Sequence, residues 1–249
     1  MKLRNLTALA GVLVATSAGL LGWGYWASRR VPDFYEAALE IGPAVQQSAN
    51  DELLETATAL ASEARKEGSW QALFTAEQIN GWLAVDLARN YPDLLPKGLK
   101  EPRVNIRPDR VTMAGRYVDG AVETVMSLDV EVYMTGPNVL SLRLHNARAG
   151  AIPVPLGQIL NGLARAAADA ELELRWLQTE GDPVAVVSFL PPRDTDHIVY
   201  QLETLELREG EIYVAGRTTR GGSADSPVWE PGFKPVAIAP ELSSKSRQR

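Results

Sequence analysis

The stretch "AVETVMSLDVEVYM", residues 121–134, alternates in polarity with a period of two. Val122, Met126, Leu128, Val130, Val132 and Met134 fall on one side, interrupted only by Thr124, while Glu123, Ser127, Asp129 and Glu131 fall on the other. This period marks a half-buried strand. At ~3.3 Å per residue it runs about 46 Å, longer than most strands. Strand twist makes one this long coil, so its sheet is expected to curl about something. The flanking sequence supplies the sheet. Val104 and Ile106 precede a Pro108-Asp109 turn, and Val111, Met113, Gly115 and Tyr117 precede an Asp119-Gly120 turn. After Gly136-Pro137-Asn138, Leu140, Leu142 and Leu144 face in opposite Ser141, Arg143 and His145. The pattern predicts an antiparallel meander with one dry and one wet face.

The next segment, "AGAIPVPLGQILNGLARAAA" (149–168), is the expected content of that curl. Pro153 and Pro155 break the ladder, and Leu156, Ile159, Leu160, Leu163 and Ala167 then line one face of a helix. Its apolar part, ~15 residues, is shorter than the ~20 needed to span a bilayer. Strands return with "ELELRWL", "VAVVSFL", "IVYQLETLEL" and "EIYVAGRT", the last two joined by a Glu209-Gly210 turn. Upstream, Pro32 opens a helix bearing Phe34, Ala37, Ala38, Ile41 and Val45, which Gly42-Pro43 should break or kink. Ser48 and Asp51 read as a capping box before a second helix ending at Gly68, and Thr75 and Gln78 as another opening residues 75–90. Residues 69–74 read as a strand.

The first thirty residues pose a different constraint. Leu6 to Ala27 is a run of 22 residues without a charge, long enough to cross the hydrocarbon core as a helix. Trp23, Tyr25 and Trp26 then form an interfacial belt before Arg29 and Arg30. A cleaved signal peptide is the competing reading, with small residues at Ala15-Thr16-Ser17-Ala18, but the apolar run continues past Ala18. The expectation is a retained single-pass anchor in the cell membrane, N-terminus in the cytoplasm, with the bulk of the chain outside. The expected fold class is α+β. An N-terminal transmembrane helix (1–30) and a helical preface or stalk (31–68) precede a curled antiparallel sheet packed on a few helices (69–220). A disordered Pro-rich tail (221–249) follows.

Composition removes several chemistries. With no cysteine there are no disulfides, thiol nucleophiles or lipoprotein anchor, and with two histidines a His-rich metal site is not expected. The net charge is −6 and residues 1–30 hold no acid, so the central region is more acidic still. Such a surface repels phosphate backbones, and no nucleic-acid partner is expected. No G-x-S-x-G, P-loop, H-E-x-x-H or G-x-G-x-x-G motif occurs. Asp129 and Glu131, two apart on one strand face, could do acid–base work, but solvated strand acids are the commoner outcome. His197, beside Asp194 and Asp196, reads as a loop histidine. Asn80 is placed to cap or bond a neighbouring backbone group. Trp82 reads as a core anchor before a ligand stack.

Four pieces in this order resemble the YpmS-like family of bacterial membrane-anchored proteins of unknown function: "FTAEQINGWLA" (74–84), "VNIRPDRVTMAG" (104–115), "GAIPVPLGQIL" (150–160) and "LELREGEIYVAG" (205–216). That family is similar, more distantly, to TULIP-type domains, in which a curled sheet around a long helix holds lipid. Taken together, the absent catalytic motifs, the apolar run and this resemblance lead to the expectation of a non-enzymatic, cofactor-free envelope protein anchored through residues 6–27, with a lipid or other apolar molecule as a candidate ligand. The pocket lining would then be Trp82, Met126, Leu128, Val130, Val132, Met134, Ile159, Leu160 and Leu163. A scaffold protein with a filled core and no ligand is the alternative, and a hydrolase using Asp129 and Glu131 is a third class.

Overall fold

Hairpin turns at the expected places build the main sheet of the computed structural model, which describes residues 27–120, 122–157, 160, 173–177, 182–188 and 198–220. Strand β2 (Leu99–Arg107) turns through Pro108-Asp109 into β3 (Arg110–Asp119). Gly120, at φ +57°, begins the turn into β4 (Val122–Gly136), and Pro137-Asn138 leads into β5 (Val139–Ala149). The short β6 (Ile152–Pro153) folds back on β5. β7 (Glu173–Leu177) and β8 (Val184–Ser188) complete a seven-stranded antiparallel sheet ordered β2-β3-β4-β5-β8-β7, with β6 beside β5. β4 spans 15 residues. Register shifts interrupt β2 against β3 near Glu101 and β5 against β4 near Asn146, and both residues take positive φ. Bulges of this kind bend a strand and raise its local twist.

The sequence suggests one sheet, but the described residues form two. β1 (Gly68–Thr75) does not join the meander; it pairs with β10 (Glu211–Arg220), which pairs with β9 (Ile198–Arg208). Alternation assigns faces and says nothing about partners, so this pairing across 136–150 residues is invisible to it. Gly216 allows the pairing to close: a Cβ there would collide with the Trp70 ring and the Gln201 carbonyl.

Helix α1 (Asp33–Leu39) follows Pro32 as expected. α2 corrects the capping-box reading at Ser48. It runs Pro43–Ala64, so Ser48 and Asp51 lie inside it. Proline at the first helical position is pre-organised for a start there, and Gly42-Pro43 ends one helix and begins the next. α3 (Ala76–Trp82) has the Thr75 and Gln78 capping box, with hydrogen bonds of 3.1 Å in both directions. It continues through a π-helical turn, Leu83–Leu87, and a last turn, Ala88–Asn90. α3 packs tightly on α2, where a Cβ on Gly81 would come within 2.7 Å of the Ala49 Cβ. Residues 33–64 are thus seated on the rest of the domain: α2 on α3 and β1, and α1 on β2.

Among the described residues no helix is long and apolar enough to cross a membrane. Residues 1–26, the tail 221–249 and His197 lie outside the described residues, as does most of the expected helix after Pro155. Of that helix, Leu156, Gly157 and Leu160 are helical, and Leu160 is half-buried.

Candidate functional site

The strand registers bring the alternating residues into one apolar face. Met126, Leu128 and Val130 stand opposite Gly115, Met113 and Val111 of β3. On the other side, Val130, Val132 and Met134 stand opposite Leu144, Leu142 and Leu140 of β5. β8 adds Ala185 and Val187, and β7 adds Trp176 and Leu174. Val104 and Ile106 extend the face at β2. Five of the expected pocket residues therefore share one surface with apolar neighbours on both flanks. Ile159 and Leu163 lie outside the described residues. Trp82 sits at the end of α3, half-buried, with its ring centroid 6.2 Å from that of Tyr91.

This face is sealed at points spread from the edge strand β2 to β8 and open between them. Ile106, Leu144 and Ala185 are 0% exposed. Val130 and Val187 are also buried, whereas Met126, Leu128, Val132, Met134, Leu140 and Leu142 are half-buried and Met113 is 41% exposed. β9 lies against β2 and β4. Two asparagine side chains fasten the layers by bonding both groups of a facing backbone. Asn138, at the β4–β5 turn, donates to the Tyr200 carbonyl at 2.9 Å and accepts from the Leu202 N–H at 2.6 Å. Asn80 does the same to Val104, at 2.9 and 2.7 Å, and so covers the edge strand β2. The structural role expected of Asn80 is the one it plays. Asn138 was legible only as a turn residue.

The opposite face carries the charges. Asp129 accepts from the Thr112 hydroxyl at 2.8 Å and the Asn146 amide at 3.2 Å, with Arg110 at 3.6 Å. Glu131 accepts from Arg143 at 3.1 Å and lies 3.4 Å from His145 Nε2, whose Nδ1 bonds Asp182. The two acids are paired to separate strand neighbours, and no acid–base couple facing a cleft results. Toward the other end, Tyr35 from α1 covers Ala114 and Val125. Burial first, and the Glu101 carboxylate second, hold the Tyr35 phenol above its ordinary range. Its hydroxyl donates to the Glu101 carbonyl at 3.0 Å. Arg103, 5% exposed, donates to the Ala38 and Pro102 carbonyls and lines a recess between α1, α2 and α3. Burial lowers its pKa from the ordinary value. Beside this recess, Asn50 of α2 has a buried Oδ1 with no hydrogen-bond partner among the described residues.

Fold and site together define an α+β protein whose most distinctive feature is a two-faced antiparallel sheet, one face apolar and the other carrying paired charges beside a patch that α1 covers. Among the described residues no group of three or more acidic or histidine side chains could hold a metal. No protein-family pattern, curated protein or solved structure matches the chain.

Proposed function

We infer that this chain is a membrane-anchored envelope protein that holds a lipid or another apolar molecule against the apolar face of its curled seven-stranded sheet. The observation that carries this reading is the uneven cover of that face: apolar side chains continue across neighbouring strands, yet most of them are only half-buried. A surface of this kind is a binding surface more often than an idle one. Methionines at 113, 126 and 134 adapt to irregular contents. Residues 6–27 are the anchor and the acidic bulk lies outside the cytoplasm. The YpmS-like resemblance of the sequence points the same way. No reacting group is assigned, because the polar face is occupied by its own pairs.

The fully covered Ile106, Leu144 and Ala185 favour a second reading, a scaffold with a filled core. Photo-methionine separates the two without a mutation, since three of the four methionines stand on the apolar face and the fourth is Met1. Illumination of the full chain in native membranes should give lipid adducts at Met113, Met126 or Met134. Adducts at Met1 alone would support the filled core.

A further inference from the structure

The apolar run ends on the sheet itself. The carbonyl of Ala27, its last residue, accepts from the Ala151 N–H at 2.8 Å, and the next carbonyl, Ser28, accepts from the Thr124 hydroxyl at 2.7 Å. Gly150, at φ +60°, makes room, because a Cβ there would come within 2.5 Å of both carbonyls. No linker intervenes between the run and the fold. The same end of the sheet collects the turn after β3, the start of β2 and the loop before it, since Val118 N–H donates to the Gly98 carbonyl at 2.9 Å. It also displays three of the most exposed large apolar side chains among the described residues: Val122 (59%), Leu94 (52%) and Tyr91 (50%). Two acids there are already neutralised, for Arg116 bridges Glu101 at 2.8 Å and Glu123 at 3.3 Å. Lys97 and Lys100 stand in the same loop and strand start.

We propose that this end of the domain rests on the bilayer that holds residues 6–27, with Tyr91, Leu94 and Val122 in its interfacial layer. The proposal rests on the anchor reading. A fold hydrogen-bonded to the last anchor residue has no slack to stand away from the headgroups. Aromatic and aliphatic tips at that depth gain burial, and lysines at that level keep their ammonium groups among phosphates. The docking also turns the anchor-side margin of the apolar face, at Met126, toward lipid. The chain has no cysteine, so single spin labels test it directly. Leu94→Cys, Val122→Cys, Asp109→Cys and Val14→Cys are each labelled in the full chain, in vesicles of phosphatidylcholine and phosphatidylglycerol. Asp109 is the control, at the far end of β2, about 26 Å away at ~3.3 Å per residue. Labels at 94 and 122 should show a several-fold higher ratio of oxygen to nickel-complex accessibility than the label at 109. If Val14 reads as bilayer-buried while 94 and 122 match 109, the docking is wrong and the anchor stands. If Val14 itself reads as water-exposed, the anchor reading fails and the docking with it.

Discussion

The two faces of the seven-stranded sheet are built from the same strands, residue against alternate residue, yet they are completed by different means. On the polar face the two central acids meet partners one strand away: Asp129 with Arg110 and Thr112, Glu131 with Arg143 and His145. A pair of side chains is enough to satisfy a charge, so those acids are satisfied locally. Apolar side chains need an area laid over them. On the dry face that cover is complete over Ile106, Leu144 and Ala185 and partial over Met113 and Leu128. A strand pattern thus makes both faces at once; it lets neighbouring side chains satisfy the acids of one, and it leaves the apolar cover of both to other elements.

Three substitutions test this contrast. Leu144→Ala removes a side chain that is 0% exposed at the centre of the dry face. It should cost about 2–5 kcal/mol in denaturant unfolding; a loss near zero would mean that the centre is not packed. On the other face, Tyr35→Phe deletes the hydrogen bond to the Glu101 carbonyl and should cost about 1 kcal/mol at neutral pH. Because burial raises the Tyr35 pKa, the tyrosine contributes its full stability below the ordinary value of ~10 and loses it as pH climbs through the folded value. The phenylalanine variant should therefore lose less stability than the wild type on the alkaline limb, read as melting temperature against pH. Least of all, Glu131→Gln breaks half-exposed pairs and should shift stability by no more than about 1 kcal/mol. A larger loss would give the polar face a structural weight that the contrast denies it.

The pattern of hydrophobic residues reached a long way into this fold. The meander from β2 to β5, its turns and the Thr75 and Gln78 cap follow from local signals, whereas the backbone that Asn80 bonds, Val104, is 24 positions away and only the tertiary structure supplies it. The start of α2 went astray for a local reason too. Ser48 and Asp51 fit a cap, but Pro43 offered an earlier start with its backbone already set, and Ser48 bonds Glu52 on the helix surface instead, at 3.5 Å. Tyr35 and Arg103, which gather α1 over β2 and β3, gave no signal beyond helical and strand spacing. Their importance depends on which elements meet.

By itself the sequence determined the α+β class, the two-faced strands and the composition that leaves thiol chemistry out. Those are properties of short-range periodicity and residue inventory. The tertiary structure alone decided that β1 joins β10 in a second sheet, that Asn138 fastens the β4–β5 turn to β9, and that Ala27 and Ser28 bond Ala151 and Thr124 at one end of the large sheet. Each of these joins segments tens to more than a hundred residues apart. The free energy of such contacts comes from close approach and shared burial, which a period of two or of 3.6 does not encode.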